Sequence, residues 1–348
     1  MREFRLVRQA IDNFSLNLRG LTVLTEAANG NFVWTALIAA QAGGDVIAFG
    51  RDSIHGSFDQ ARNRTMTIAQ ELGVLHRIRI VDNLHPHDIG QADIVTNTGF
   101  LRPLDKKKLS HCKKAVAIPL MWETWEFREQ DLDLTYCFQQ QIPVLGTNEN
   151  HSELKTMAYV GLAAKKLLLE SGVEIHQSAI GLVGQGKFGR EILKSLTRDS
   201  AKVRVISRFS KNELAFLRNA DALVIADHET DQLHIGPKGS ISGKRLKEAN
   251  PDLVVIHISG GVDAEDLRNE FPLLFPKRIA PIGSMSVTTD YVGPKPVIDL
   301  HTAGLKVGEE LIRARLGGLS YKDALKKALR NPVCQDFSPK QKRIYFTS

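Results

Sequence analysis

Short apolar runs alternate along the chain with longer segments whose apolar residues recur at helical spacing. Leu21–Thr25, Asp45–Phe49, Arg77–Val81, Asp93–Thr96, Ala115–Ile118 and Pro143–Leu145 read as strands. Phe32–Ala42 and Phe58–Leu72 read as helices, the second closing at Gly73. Phe4, Val7, Ile11 and Phe14 share one helical face and predict a docking helix at the start of the chain. His85-Pro86-His87-Asp88 reads as a loop, because Pro interrupts the two histidines and no partner cluster follows. A βαβα order of this kind predicts a mostly parallel sheet covered by helices.

A long helix is predicted from about Ser152 to Glu170, with Gly172 as its stop. After it the alternation restarts. Ala179–Val183, Val203–Ser207, Ala222–Ala226 and Leu253–Ile258 read as strands; Phe188–Leu196, Asn212–Arg218 and Asp263–Glu270 read as helices. Val297–Leu300 reads as the last strand, followed by helices Thr302–Leu316 and Tyr321–Leu329 and a polar tail. The expectation is an α/β protein of two doubly wound parallel-sheet domains, Rossmann- or flavodoxin-like, with a cleft between them. One domain takes 149–301 and the other combines 1–148 with 302–348.

Gly184-Gln185-Gly186-Lys187-Phe188-Gly189 stands between the strand Ala179–Val183 and a helix. It has the form G-x-G-x-x-G. The first glycine permits a tight turn, the second lets a pyrophosphate approach the backbone, and the third lets helix and strand pack closely. The helix N-terminus adds amide donors and the positive end of its dipole. Dinucleotide binding follows as the expectation. The next strand ends at Ser207-Arg208, where an NAD enzyme usually places an acid against the ribose 2′-hydroxyl. Ser207 can donate to a 2′-phosphate and Arg208 can pair with it bidentately, with Ser210 and Lys211 adjoining. NADP(H) is therefore favoured over NAD(H).

The 348 residues carry 46 Lys and Arg against 39 Asp and Glu, a formal charge of +7. The positive charge is spread along the chain and no nucleic-acid signature accompanies it, so an acidic small molecule is a better partner than nucleic acid. No apolar run is long enough for a membrane span. Cys112, Cys137 and Cys334 lie far apart without metal spacing, which predicts reduced thiols, no metal site and a cytoplasmic protein. The charged start, Met1 to Arg5, argues against a secretory signal.

Further segments extend the picture: Gln141 to Thr147 before the long helix, Ala92-Asp93-Ile94-Val95, Ile241 to Pro251, Leu253 to His257, and His301-Thr302-Ala303-Gly304. Together with the glycine loop these resemble the D-isomer-specific 2-hydroxyacid dehydrogenases, over roughly residues 90–318, and in topology alone over 20–90. The resemblance implies that His301 is the acid/base and that a carboxylate orients it; counting along the chain places Asp290 there. It adds Ser259 to the cofactor-binding set, implies that the backbone amides of Asn97-Thr98-Gly99 grip a substrate carboxylate, and implies a homodimer. This sequence also departs from the family. Gly260 stands where the family carries its substrate-binding Arg, and Leu120 to Glu126, with two Trp and two Glu, replaces a Gly-rich turn.

Hydride transfer to a carbonyl needs a held nicotinamide, a proton donor and charge stabilisation at the oxygen. An unperturbed imidazole exchanges protons near neutrality, which suits His301. Arg51, His55 or Arg102 could fill the gap at Gly260, and Glu26 stands at another strand end, whereas His257 reads as a structural histidine in an apolar strand. The expected function is an NADP(H)-dependent oxidoreductase acting on a polar 2-oxo or 2-hydroxy acid or related carbonyl compound. Two alternatives stand beside it: a non-catalytic dinucleotide-binding sensor or partner-binding protein, and an enzyme of another class built around Trp122–Glu126 and Glu26.

Overall fold

The computed structural model describes residues 1–271 and 274–346. The chain divides into two compact units, Met1–Leu154 with Pro294–Ser348, and Lys155–Gly293. The changes of unit fall at 154 and 293 rather than at 148 and 301.

The first unit is built on β1 (Thr22–Glu26), β2 (Asp45–Phe49), β3 (Ile78–Val81), β4 (Ile94–Val95), β5 (Ile118–Pro119) and β6 (Val144–Thr147). β3-β2-β1-β4 form a parallel sheet with Val23 opposite Val46 and Leu24 opposite both Ile47 and Val95. A parallel bridge from Ile94 to Ala117 carries the order on to β5 and β6. The resulting order, 3-2-1-4-5-6, is that of a doubly wound sheet. Val23, Leu24, Ile47, Ile94 and Ile118 are buried, as continuous apolar strands covered on both faces must be. The expected N-terminal helix spans Arg2–Phe14; it buries Leu6, Val7, Ala10 and Phe14, while Phe4 and Ile11 of the expected face are half-buried against the same cluster.

The second unit contains β7 (Ala179–Val183), β8 (Lys202–Ile206), β9 (Ala222–Ala226), β10 (Leu233–Ile235), β11 (Val254–Ser259), β12 (Gly261–Val262) and β13 (Leu274–Phe275). Its main sheet is parallel in the order β8-β7-β9-β11-β13, which is the flavodoxin-like 2-1-3-4-5 winding. β10 and β12 make a separate two-stranded parallel ribbon. Apolar side chains cover both sheet faces: Ile180, Leu182, Val224 and Ile256 on one, Val183, Leu223, Ile225 and Val255 on the other. The expected α/β fold class, two doubly wound parallel sheets, is what the chain adopts.

Four local readings are corrected. Val297–Leu300 is not a strand but lies within the helix Pro294–Leu316. Pro294 and Pro296 occupy its first turn, where a missing amide hydrogen costs no intrahelical bond. This places His301 in the middle of a helix of the first unit. The helix expected from Ser152 begins only at Met157, because Lys155 adopts a left-handed conformation at φ 46°. His85–Asp88 opens a short helix, Pro86–Gln91, with Pro in its first turn. The polar tail is folded: β14 (Cys334–Gln335) pairs antiparallel with β6, and Pro339–Tyr345 is helical behind a Ser338–Gln341 capping box.

Candidate dinucleotide site and the carboxyl ends of the strands

β7 runs straight into the glycine loop. Gly184 has φ 122°, and a Cβ on it would fall 2.5 Å from the carbonyl oxygen of Ala226 at the end of β9. A Cβ on Gly189 would lie 2.0 Å from the Gly184 carbonyl oxygen. Turn and helix therefore approach so closely that neither position accepts a side chain. The helix Lys187–Arg198 begins at once, and Arg190 braces the turn through a 3.1 Å bond to the Gln185 carbonyl. Phe188 is buried and stacks face to face on His228, with centroids 3.9 Å apart at 19°. These residues fit the cradle of a dinucleotide diphosphate, with Gly184–Gly189 around it and the helix amides beneath.

One of those amides already has an anionic partner. The Lys187 N–H donates to Glu229 Oε1 at 3.1 Å, and a Cβ on Gly186 would fall 2.3 Å from Glu229 Cδ. Glu229 belongs to the turn after β9. Its base is Asp227, which accepts from the Glu229 amide at 3.2 Å, from the Thr230 hydroxyl at 2.6 Å, and pairs with His234 Nε2 at 2.9 Å. Burial alone would raise the Asp227 pKa, but these hydrogen bonds outweigh it and hold it below the usual carboxylate value.

β8 pairs with β7, with Ile206 opposite Val183, so Ser207 and Arg208 emerge beside the glycine loop. Both are exposed. Ser210 serves as N-cap of Lys211–Leu217 and donates to Glu213. That bond lowers the Glu213 pKa, with smaller help from Arg204 and Arg208. At the end of β11, Ser259 is buried and pairs with Ala226, and its Oγ has no hydrogen-bond partner among the described residues. His257 is the satisfied structural histidine expected, bonded to Ser286 Oγ at 2.7 Å and to the Gly260 carbonyl at 3.0 Å. Gly260 has φ 116°, and a Cβ there would meet the Asp227 carbonyl oxygen at 3.0 Å. An arginine at this position is therefore strained by the backbone itself.

In the first unit the strand order reverses between β1 and β4, where doubly wound sheets form their binding crevices. The loop after β4 brings Asn97, Thr98 and Gly99 there. Asn97 and Thr98 are buried, and their side chains serve the protein: Asn97 Oδ1 accepts from the Met121 amide at 2.9 Å, and the Thr98 hydroxyl lies 3.0 Å from that of Thr96. A backbone amide of this loop does hold a carboxylate, but an internal one. The Phe100 N–H donates to Glu26 Oε2 at 3.1 Å. Burial raises the Glu26 pKa against that bond and the Arg102 charge. Arg102 donates to the Asn97 carbonyl at 2.7 Å, pairs with Asp131 at 3.1 Å and lies over the Trp122 ring at 4.2 Å. Arg51 lies over the Phe100 ring at 5.5 Å. At the ends of β5 and β6 stands an acidic group, Glu123, Glu126 and Glu149; burial, and then the charges of Glu126 and Glu123, push Glu149 well above the usual carboxylate range.

His301 is enclosed in the first unit. Its Nδ1 lies 2.6 Å from the Thr35 hydroxyl, and its ring packs on Phe32 with centroids 5.6 Å apart. The same hydroxyl lies 3.1 Å from the Phe32 carbonyl oxygen. With a single hydrogen, Thr35 either donates to Phe32 and accepts from an Nδ1–H, or donates to an unprotonated Nδ1. Burial lowers the His301 pKa to about 4, which replaces the expected exchange near neutrality with a neutral ring. Asp290 belongs to the second unit, in the turn Thr289–Val292, and accepts from the Thr288 hydroxyl.

The structure thus gathers Gly184–Gly189, Ser207, Arg208 and Ser259 at the carboxyl end of one sheet, and Asn97–Gly99 with Arg51 at that of the other. Sequence reading missed Glu229, the Asp227–His234 pair and Glu149. Each follows the carboxyl end of a strand or pairs with a residue that does, but no local pattern marks which of them meet in the fold. The described residues hold no group of three or more potential metal ligands, and no described helix is long and apolar enough to cross a membrane.

No family model and no curated protein matches the chain. Among solved structures, a dipicolinate synthase polypeptide from Bacillus halodurans is similar at 12% identity and a TM-score of 0.48, covering 85% of this chain and 98% of that one. A D-isomer specific 2-hydroxyacid dehydrogenase from Lactobacillus delbrueckii ssp. bulgaricus, in its NAD complexed form, is similar at 14% and 0.47, covering 85% and 98%. An NAD-dependent formate dehydrogenase from Staphylococcus aureus in complex with NAD is similar at 11% and 0.46, covering 85% and 95%. At such identities and scores these likenesses assign neither cofactor nor substrate to this chain.

Proposed function

We propose that the protein is a nicotinamide-dinucleotide-dependent oxidoreductase acting on a polar 2-oxo or 2-hydroxy acid or related carbonyl compound, with NADP(H) preferred. The observation that carries this reading is the glycine loop, in which Gly184 and Gly189 are packed against backbone oxygens with no room for a Cβ. Gly184–Gly189 hold the diphosphate. Ser207 and Arg208, exposed at the end of β8 without an acid at position 207, receive the 2′-phosphate. Ser259 offers its unpartnered hydroxyl at the end of β11. A nicotinamide cofactor supplies hydride transfer.

His301 is the group proposed to exchange the substrate proton. Thr35 engages Nδ1, and in the tautomer that carries its proton there the Nε2 lone pair accepts a hydroxyl proton. A ring with a pKa of about 4 is neutral near pH 7, which suits oxidation of a hydroxy acid better than reduction of the oxo form. With Nδ1 on Thr35 and Nε2 facing the substrate, the role expected of Asp290 falls to Thr35. We keep a homodimer as the proposed assembly and the cytoplasm as the proposed location.

A second reading, dinucleotide binding without catalysis, is favoured by Gly260. The positive φ and the nearby Asp227 carbonyl strain any arginine placed where the resemblance calls for one. Titration of the wild type and Arg208→Ala with NADPH and NADH tests the cofactor assignment. The variant is expected to lose about tenfold or more in NADPH affinity, the worth of a charge-assisted bidentate contact, and little for NADH. Equal losses would remove Arg208 from the 2′-phosphate site. Nicotinamide absorbance with a panel of 2-hydroxy acids then separates the two readings, since a non-catalytic binder gives no substrate-dependent change.

A further inference from the structure

Pyrophosphate and the carboxylate of Glu229 make the same demand on the glycine loop. Both need backbone amides at the start of the helix Lys187–Arg198 and the open space over Gly186, and Glu229 holds the Lys187 amide and that space. Its Oε1 accepts from the Lys187 N–H at 3.1 Å. A Cβ on Gly186 would fall 2.3 Å from its Cδ, 2.5 Å from its Oε1 and 2.7 Å from its Cγ. The side chain therefore lies directly across the face that the second glycine leaves bare. A carboxylate at this place gains from the helix dipole as a phosphate does.

The turn that carries Glu229 has a firm base and a loose tip. Asp227 is buried and ties the turn to β9 and β10 through Thr230 and His234. His228 stacks on Phe188, the fifth residue of the loop motif, with its Nε2 3.9 Å from Glu229 Oε1. The Glu229 side chain itself is 50% exposed. It can leave the helix terminus by rotating its own torsions into water while Asp227 stays in place.

We propose that Glu229 is an internal plug of the nucleotide site: its carboxylate holds the diphosphate position over Gly186, and a nucleotide binds only once this side chain has swung out. The proposal rests on the dinucleotide reading of the second unit and adds to it a built-in competitor. It makes the resting affinity for every diphosphate-bearing nucleotide weaker than the glycine loop alone would give: the apparent Kd is the intrinsic Kd divided by the fraction of time the plug is out. It also commits the loop to discriminate by charge: a neutral ligand cannot displace a carboxylate from amide donors.

The test is calorimetric titration of the full chain, Glu229→Ala and Glu229→Gln with NADPH, NADH and ADP. The alanine variant is expected to bind all three about tenfold tighter, because the competing charge-assisted hydrogen bond is gone. Glutamine keeps the size and loses the charge, and is expected to fall between alanine and wild type. Circular dichroism spectra matching wild type establish that the variants fold. Equal affinities of wild type and alanine variant, or weaker binding by the variant, would overturn the plug; the second result would make Glu229 a ligand-holding residue. A gain for ADP with no binding of either nicotinamide nucleotide keeps the plug and overturns the dinucleotide reading. No binding of any of the three to any variant overturns both.

Discussion

Burial decides the state of His301. A protonated ring there would carry its charge without water around it, with the Thr35 hydroxyl at Nδ1 as its hydrogen-bond partner. The folded pKa of about 4 stands against about 6.5 in the unfolded chain. Between those values the unfolded chain binds more protons, so stability is full above pH about 6.5 and is lost as pH falls toward about 4. The difference amounts to roughly 3 kcal/mol. His301→Asn offers a side-chain N–H to Thr35 without a titrating group. Its denaturant midpoint is expected to change less between pH 7 and pH 4 than that of the wild type; parallel curves would show that the ring ionises freely in the fold. Gly260 makes the complementary point. Its sequence position suggested a lost side chain, and its φ of 116° shows a backbone that a side chain would strain.

Among the elements, the helix Pro294–Leu316 shows where pattern reading runs out. Val297, Ile298 and Leu300, interrupted by Asp299, make a short apolar stretch behind two prolines, and a short buried stretch is compatible with either strand or helix. The prolines read as breakers because their first-turn placement depends on where the helix starts, which tertiary packing sets. Buried residues occur around most of the circumference from Pro296 to Gly308, so no polar face marks the period. By contrast, the glycine loop and the strands of both sheets other than β13 were legible, since β-branched runs bounded by turns and a motif in strand–loop–helix context each carry local physics. The turn Asp227–Thr230 was not, because only the three-dimensional return of β9 beside β7 brings Glu229 to Gly186. Packing of the long helix also yields a prediction. Gly308 sits where a Cβ would meet Ile94 Cγ2 at 2.9 Å and Pro119 Cγ at 3.2 Å, both stiff and buried in the sheet. Ala is the better helix former by about 1 kcal/mol. Gly308→Ala is nevertheless expected to destabilise by about 1–3 kcal/mol, because overpacking against rigid neighbours outweighs propensity. A midpoint shift to higher denaturant would mean that sheet and helix can part at no cost.

At the scale of the whole molecule, the two units differ in how the chain builds them. Lys155–Gly293 is one continuous stretch with its own parallel sheet and apolar layers on both faces. The other unit closes only when the chain returns. Ile298, Leu305, Leu311 and Ile312 belong to the same buried cluster as Val23, Leu37 and Val46, and β14 pairs with β6. Losing the burial of those four side chains alone would cost about 1.5–3 kcal/mol each, a sum that reaches the whole stability of an ordinary domain at about 5–15 kcal/mol. A fragment of residues 155–293 is therefore expected to melt cooperatively and to keep whatever preference Arg208 gives between NADPH and NADH. A fragment of residues 1–154 is expected to show no cooperative transition by circular dichroism. Cooperative melting of 1–154 would mean that its sheet and N-terminal helix suffice as a core. Loss of cooperativity in 155–293 would mean that the nucleotide-type sheet, though closed on itself in its contacts, depends on the rest of the chain for its stability.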